Sequence, residues 1–349
     1  MNVLTRFLIA ICLCAGVFGG VASARYHLLV SSGKVMTESA TAFLSQLNET
    51  QKKQATRGYE DPARVDWHFI PKPTRKGLQI REMNAEQRTA AHALLKSCLS
   101  EIGYGKVVKI IALEELLKAL EVNKVNGAIR DNERYYFTLF GTPTREGKWG
   151  LSVEGHHLSL NFVVEKEQVV CFSPWALCTN PAVVMSDAIP SIPRGQRVLA
   201  AEEELAFELL ASLTPEQKKV AIIAEKAPAE VRAPGEAQPP HDAAVGIELA
   251  KLTSAQQLVL RKLVGVYLGN LPEDVAAQRA HALESEDWKQ VTFAWAGAEK
   301  TGVGHYYRIQ GKSFVIELVN TQPDAAGNPA NHVHCVWRSL TGDFALEPK

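Results

Sequence analysis

Histidines are the residues of this sequence best suited to chemistry, and they gather in two places. The chain holds ten of them. His156 and His157 stand side by side after Gly155, and His332 and His334 are separated by a single residue. Because side chains alternate along a strand, His332 and His334 point to the same side if this segment is a strand. Two histidines on one strand with a third from a neighbouring strand are a common way to bind zinc, copper or iron.

The spacing therefore predicts a metal site built from both places. We expect His332 and His334 to be ligands and either His157 or His156 to be the third. His305, which begins another predicted strand, is a lower-ranked candidate. Neutral imidazole nitrogens suit zinc, copper and iron, so a divalent transition metal is the expected cofactor.

Other polar residues of the predicted strands supply the remaining parts of a catalytic site. Glu154 is the candidate base and Glu317 a lower-ranked carboxylate ligand. Arg338 ends the last predicted strand, where its guanidinium can bind a substrate carboxylate or phosphate. An open position on the metal would admit water and lower its pKa into the working range. The sequence thus favours a hydrolase over an oxidoreductase, acting on a small molecule or a polymer.

Two other functions remain open at this point. The histidines can instead hydrogen-bond inside a polar core, in which case the protein is a non-enzymatic module that binds a sugar or a peptide outside the cytoplasm. His157-Leu158-Ser159-Leu160 also has the form found in two-histidine phosphoesterases, which use no metal. Strand alternation places His157 with Ser159 and Asn161 on a polar face, and His156 with Leu158 on an apolar face. Ser159 and Asn161 are therefore two further lower-ranked candidates for the site.

The sequence around the paired histidines is similar to a second stretch further along the chain. With an offset of 156, Gly155 aligns with Gly311 without a gap. The apolar strand residues Val153, Leu158 and Leu160 then align with Ile309, Phe314 and Ile316. The last strand aligns with an offset of 164, so the link before His332 has eight additional residues. These matches predict an internal duplication and an α+β fold of two related halves, each with helices packed on an antiparallel sheet.

Helix starts support the same organisation. Asn84 with Gln87 and Thr253 with Gln256 have the spacing of capping boxes that begin helices. We expect a first half over residues 25–190, a connection over 191–200 and a second half over 201–349. Residues 224–244 are rich in proline and alanine and predict a mobile surface loop or linker.

The beginning of the chain has the features of a secretory signal peptide. Arg6 precedes an apolar run that ends in Ala22-Ser23-Ala24, which predicts cleavage near Ala24 and a secreted or periplasmic protein. No other long apolar run follows, so we expect no stable membrane insertion after cleavage. Lys and Arg total 38, as do Asp and Glu, which gives no electrostatic case for binding nucleic acid.

Four cysteines follow the predicted cleavage site: Cys98, Cys171, Cys178 and Cys335. An oxidising compartment permits disulfides, and Cys171 with Cys178 would close a short loop. The same four residues can equally be small buried apolar side chains. No C-x-x-C pair is present, so metal binding through cysteine is not expected.

Several phrases of the sequence together resemble one known family. They are Trp67-x-Phe-x-Pro71, Gly77-Leu78, Tyr135-Tyr-Phe-x-x-Phe-Gly141, Trp149-Gly, Gly155-His-His-Leu-Ser-Leu-Asn161, Asn180-Pro-Ala182 and Asn331-His-Val-His-x-Val-Trp-Arg338. The chain resembles the family catalogued as domain of unknown function 3500, which occurs in bacteria and fungi and is often exported. The resemblance implies no particular reaction. Members often have Asp-Phe-Gly or Asp-Tyr-Gly near the end, where this chain has Asp343-Phe344-Ala345.

Overall fold

Helices and one large sheet make up the described part of the chain. The computed structural model describes residues 31–124 and 127–347. Within these residues the α-helices are α1 (Ser32–Gln46), α2 (Glu49–Ala55), α3 (Ala85–Ser97), α4 (Glu101–Leu120), α5 (Ala200–Ser212), α6 (Pro215–Ala221), α7 (Ser254–Leu268) and α8 (Glu273–Ser285). None of them is both long and apolar enough to cross a membrane. The predicted signal peptide lies outside the described residues and stays a prediction.

Thirteen strands of the described residues form a single sheet. They are β1 (Thr56–Arg57), β2 (Leu78–Gln79), β3 (Tyr136–Phe140), β4 (Lys148–Gly155), β5 (Leu158–Glu165), β6 (Gln168–Cys171), β7 (Trp175–Leu177), β8 (Ile222–Ala224), β9 (Ile247–Glu248), β10 (Thr292–Gly297), β11 (His305–Gln310), β12 (Phe314–Gln322) and β13 (His332–Ser339). The main order is β1-β3-β4-β5-β7-β13-β12-β11-β10-β8. The predicted α+β class is therefore correct, and one continuous sheet spans both predicted halves.

The order of pairing is the same on either side of the sheet centre. Strands β3, β4 and β5 form an antiparallel meander, as do β10, β11 and β12. A short parallel strand flanks each meander: β1 pairs with β3, and β8 pairs with β10. At the centre, β7 and β13 are antiparallel, with Val336 opposite Ala176. This central pair brings residues of the two predicted halves into contact.

The helix starts follow the capping boxes of the sequence. Asn84 and Gln87 cap α3, and Thr253 and Gln256 cap α7, each through reciprocal side-chain and backbone bonds. Each of these glutamines also bonds the capping glutamine of a shorter helix. Gln87 pairs with Gln51 at 2.9 Å and Gln256 with Gln217 at 3.0 Å. Local capping chemistry therefore sets both helix starts and their packing against the preceding helix.

One face of the sheet carries the main hydrophobic core. Leu158, Leu160, Phe314 and Ile316 are fully buried there against the helices. Complete burial of an apolar side chain of this size is worth about 1.5–3 kcal/mol. Four cysteines of the described residues, Cys98, Cys171, Cys178 and Cys335, are buried and free, so they behave as small core residues and the Cys171–Cys178 disulfide does not form.

Mostly irregular segments cover the opposite face of the sheet. Trp67 and Phe69 of the segment 58–77, and Val231 of the segment 225–246, pack there with Tyr306 and Val336. The sequence predicts a mobile surface loop or linker over 224–244. The segment is irregular, but Val231 is only 3% exposed and the neighbouring polar side chains bond to the sheet. Composition alone did not reveal these contacts because they join residues about a hundred positions apart.

Candidate metal centre

His157 stands in a two-residue turn that joins β4 to β5. His156 and His157 are the turn residues, so the strand alternation used in the sequence analysis does not apply to them. The φ angle of His157 is 63°, in the left-handed region that non-glycine residues adopt mostly in turns. Its backbone N–H donates to the Phe69 carbonyl at 2.7 Å, and its carbonyl accepts from the Cys178 N–H at 2.9 Å. The turn therefore holds the imidazole of His157 in a fixed direction.

The glycine before this turn has a steric reason. A Cβ atom at Gly155 would lie 2.3 Å from the Tyr135 ring. The Tyr135 hydroxyl donates to the His156 carbonyl at 2.9 Å, so this ring is itself part of the turn. Gly155 allows that close approach, and the order Gly-His-His follows from it.

His332 and His334 begin β13 and point to the same side, as predicted. Strand pairing places β13 next to β7, which lies next to β5 and thus beside the β4–β5 turn. The Nε2 atom of His332 is 2.8 Å from Nε2 of His157 and 3.0 Å from Nε2 of His334. The sheet order therefore brings together three imidazoles from two parts of the sequence that are 175 positions apart.

These three histidines could hold a metal ion. One ring nitrogen from each of His157, His332 and His334 lies within 4.8 Å of the other two. Tetrahedral ligands at the usual zinc–nitrogen distance stand about 3.3 Å apart, so the two short pairs would have to open by about half an ångström and the nitrogens of His157 and His334 would have to reach the same spacing. A fourth protein ligand is not part of this group among the described residues. Three imidazoles would leave one tetrahedral position for a ligand from outside the protein.

A carboxylate supports the outer side of one histidine. His334 Nδ1 lies 2.7 Å from Oε2 of Glu230, which belongs to the covering segment 225–246. A carboxylate only accepts, so the proton of neutral His334 resides on Nδ1 and its Nε2 lone pair faces the other histidines. Such an outer carboxylate orients a metal-ligating imidazole and raises its basicity.

His332 is held by two asparagines. The His332 backbone N–H donates to Oδ1 of Asn320 at 3.0 Å, and the Asn180 amide nitrogen lies 3.4 Å from His332 Nδ1. The Asn180 amide oxygen accepts from the Ala325 N–H at 3.1 Å, which orients the amide nitrogen toward the ring. The Pro323 carbonyl is a further hydrogen-bond partner of this ring and can only accept, so the contacts of His332 include both a donor and an acceptor.

Burial keeps the imidazoles of His157 and His332 neutral. Desolvation lowers the pKa of His157 well below its ordinary value, and the neighbouring His156, His332 and His334 lower it further. Desolvation, with His334 and His156 nearby, lowers the pKa of His332 to about 2. A neutral imidazole has the free lone pair that a metal requires. At neutral pH, metal binding therefore needs no loss of positive charge from these rings.

His156, a predicted ligand, does not belong to the group of three. Its ring lies against that of His157, with the centroids 3.6 Å apart. Its Nδ1 contacts the Glu114 carboxylate and lies 2.8 Å from Nη1 of Arg130, which in turn pairs with Glu121 at 2.7 Å. Burial lowers the pKa of His156, and Glu114 partly offsets this. His156 therefore packs behind His157 within a buried charged network.

Glu154 and Arg338, the predicted base and substrate anchor, are engaged elsewhere. Glu154 is buried and lies 2.8 Å from Nζ of Lys76 and 3.6 Å from Nη1 of Arg75. Arg338 is 1% exposed and bonds the Asp343 carboxylate and two carbonyls of the covering segment 225–246. Arg338 therefore links β13 to the covering segment 225–246. Glu154 lies beside two cations, so neither of its carboxylate oxygens is free to act as a base.

The four lower-ranked residues also have partners away from the histidine group. His305 Nε2 lies 3.0 Å from Glu203, and Glu317 bonds Arg232 at 3.1 Å. Asn161 Nδ2 donates to Oγ of Ser159 at 3.2 Å and to the Pro174 carbonyl at 2.9 Å. These contacts are structural bonds within the sheet and its covers.

Sequence reasoning missed the residues that support the group from outside. Glu230 lies in the proline- and alanine-rich segment, where no periodicity marks it. Asn180 and Phe69 fall inside phrases that carried the family resemblance, so that resemblance was the available signal. Phe69 contacts the His334 ring, with centroids 4.8 Å apart.

Fold and site together define an α+β protein with a buried three-histidine group at the centre of a large sheet. A family model described as protein of unknown function (DUF3500) matches residues 31–346. The chain belongs to this family, as the resemblance implied. Comparison with curated proteins and with solved structures finds no match.

Proposed function

We propose that this protein is a metal-dependent enzyme, with zinc, copper or iron held by His157, His332 and His334. The observation that carries the proposal is the convergence of three Nε2 atoms from two distant parts of the sequence. Hydrolysis is the first expectation and oxidation the second. A metal with three imidazole ligands keeps a position for water, whose pKa it lowers into the neutral range.

The donor set supports a transition metal over calcium or magnesium. All three donors are imidazole nitrogens, whereas calcium and magnesium select oxygen ligands. Glu230 would orient His334 through its Nδ1–H, and the β4–β5 turn would orient His157 through two backbone bonds. In this assignment Glu230 replaces Glu154 as the important carboxylate, acting through His334.

Burial of the group favours a small substrate over a polymer. His157 and His334 are 3% and 4% exposed, and His332 is the partly accessible member. Phe69 and Glu230 of the covering segments lie against the same rings. A polymer chain requires an open groove, whereas a small molecule can approach along the His332 side.

Two further parts of this proposal concern the origin and the location of the protein. The repeated pairing order and the two glutamine pairs support descent from an internal duplication. The site then lies where the two copies meet, since His157 belongs to one and His332 and His334 to the other. The predicted signal peptide supports export to the periplasm or the medium.

Metal content tests the proposal directly. The untagged protein is purified as its producing cell processes it, and bound metals are measured by inductively coupled plasma mass spectrometry. We expect about one equivalent of zinc, copper or iron, lost in the double variant His332→Ala/His334→Ala. The control His281→Ala changes an exposed histidine of α8 and keeps the metal. A folded wild type that contains no metal and binds none on titration overturns the proposal.

The two competing functions make different demands on the same atoms. A non-enzymatic binding module would need the histidines only as hydrogen-bonding groups, and the double variant would then change no metal content. Two histidines that flank a phosphoryl group must stand apart by the width of that group. The 2.8 Å between Nε2 of His157 and Nε2 of His332 does not favour a phosphoesterase of that type.

A further inference from the structure

A second cavity lies at the other end of β13, away from the histidines. It has a volume of about 480 Å³ and is bounded by β6, α8 and the turn that follows β13. This volume is in the range of small-molecule sites, about 300–1,000 Å³. Val169, Phe172, Val275 and Trp337 supply apolar walls. The cavity has the size and the lining of a ligand site.

Arg279 of α8 gives this cavity its polar character. Its Nη2 donates to Oγ of Ser313 at 2.6 Å, and its Nε is buried without an acceptor among the described residues. Within the same part of the chain, no carboxylate lies within ion-pair distance of this guanidinium. Arg130 and Arg338, by contrast, face Glu121 and Asp343. Arg279 is therefore a cation in a partly desolvated place with unused hydrogen-bonding capacity.

Aromatic contacts hold the guanidinium toward the cavity. The Cζ atom of Arg279 stands 5.9 Å from the centroid of the Trp337 ring, within the range of a cation–π interaction. Trp337 is fixed between Phe314, at a centroid distance of 5.1 Å, and Phe172, at 5.7 Å. Burial lowers the pKa of Arg279, and the nearby Glu286, whose carboxylate accepts from the Ser313 N–H at 3.2 Å, partly offsets this without pairing directly with the guanidinium. A ligand anion would restore the missing partner.

The rest of the lining narrows the class of anion. Ser339 and Thr341 carry hydroxyl groups that are 3.0 Å apart at the cavity wall, and Glu347 is an exposed carboxylate at its edge. One half-buried cation with the carboxylates of Glu286 and Glu347 nearby suits a single negative charge better than a multiply charged phosphate. The aromatic walls suit an apolar body. We propose that this cavity binds a small organic monocarboxylate, with the carboxylate on Arg279 and the apolar part against Phe172 and Trp337.

Calorimetry with defined probes tests the assignment. Phenylacetate and hexanoate are titrated into the whole purified protein beside phenylacetamide and hexanamide, which have the same shape without the charge. We expect the acids to bind at least about tenfold more tightly than the amides, because only the acids pair with the guanidinium. The variant Arg279→Gln should lose this difference. Arg194→Gln, which changes an exposed arginine paired with Asp187, is the matched control and should keep it.

A second variant keeps the test decisive if Arg279→Gln does not fold. Ala282→Leu adds volume to the cavity lining and leaves Arg279 in place. Circular dichroism and cooperative thermal unfolding identify the folded variants. Loss of acid binding in folded Ala282→Leu supports the site. The proposal is overturned if the folded wild type binds neither acid, if both variants bind the acids unchanged, or if sulfate binds as tightly as phenylacetate.

Discussion

Strand β13 begins beside three imidazoles and ends beside an open cavity. At the first end, the β4–β5 turn presents His157 to His332 and His334. At the other end, the β11–β12 turn presents Ser313 to the guanidinium of Arg279. The two turns occupy equivalent places in the two meanders, since each joins the second strand of its meander to the third. The same arrangement of strands thus places imidazoles beside one turn and a guanidinium beside the other.

The strand pairs on the two sides of the sheet centre also differ. Val163 of β5 and Val319 of β12 are related by the offset of 156 found in the sequence. Val319 lies opposite His334, whereas Val163 lies opposite Cys171. Strand β13 is continuous over eight residues, whereas β5 pairs with two shorter strands, β6 and β7. The continuous strand begins with His332 and His334, and residues at and after the end of β6 line the cavity. Strand continuity therefore differs between the two sides of the sheet centre.

The largest expected effect comes from replacing His157, which removes one of the three imidazoles at the start of β13. His157→Asn removes the ligand while asparagine tolerates the left-handed φ of the turn. We expect metal affinity to fall by more than the roughly 100-fold upper range of an outer-shell loss, because a direct donor is removed. Competition with a chromophoric chelator measures the affinity. Ser313→Asn at the opposite turn is the control, and equal affinities in the two variants would contradict His157 as a ligand.

Local chemistry explains which parts of the fold could be predicted. The capping residues act within four positions, so Asn84 and Thr253 marked two helix starts correctly. Strand alternation also placed His332 and His334 on one side of a strand. Both inferences depend on neighbours in sequence, where short-range geometry is decisive. The same reasoning applied to His156 and His157 was wrong because a tight turn interrupts the alternation there.

Partners distant in sequence explain what could not be predicted. Arg338 has the residue type of a substrate anchor, but Asp343 and the carbonyls of the segment 225–246 already satisfy it. Glu154 is similarly neutralised by Lys76 and Arg75. The sequence shows that a strand residue is charged but not which residue pairs with it. A charge that is paired inside the protein therefore cannot be distinguished from one that is free for catalysis until the positions of the covering segments are known.

Acid stability provides a second way to examine the histidine end. Glu203 accepts from the Asn320 amide at 3.0 Å, and Asn320 accepts from the backbone N–H of His332. Burial alone would raise the pKa of Glu203, but contacts from His305, Asn320 and Arg197 outweigh it and lower the pKa from 4.5 to about 2. The folded pKa lies below the unfolded value, so this stabilisation is complete above pH 4.5 and is lost as the pH falls toward 2.

The expected size of this contribution is about 2–3 kcal/mol at neutral pH. Urea unfolding of the chelator-treated protein at several pH values measures it as the difference between wild type and Glu203→Gln. That difference should shrink between pH 4.5 and 2, because protonated Glu203 and glutamine are both neutral. Glu204→Gln, the exposed neighbour on α5, is the control and should show no comparable pH-dependent loss. A difference that stays constant with pH would contradict the role given to the ionised Glu203.

The smallest expected effect distinguishes the outer support of the histidine end from its ligands. Glu230→Gln keeps a hydrogen-bond acceptor opposite Nδ1 of His334 but removes the negative charge. We expect metal affinity to weaken by about 10- to 100-fold while one equivalent still binds at saturation, as is usual for an outer-shell residue. Glu236→Gln changes another carboxylate of the same covering segment, whose backbone carbonyl makes its contacts, and should leave the affinity unchanged. Loss of all metal binding in Glu230→Gln would instead indicate that Glu230 is a direct ligand. Unchanged metal affinity would show that the charge of Glu230 does not support His334.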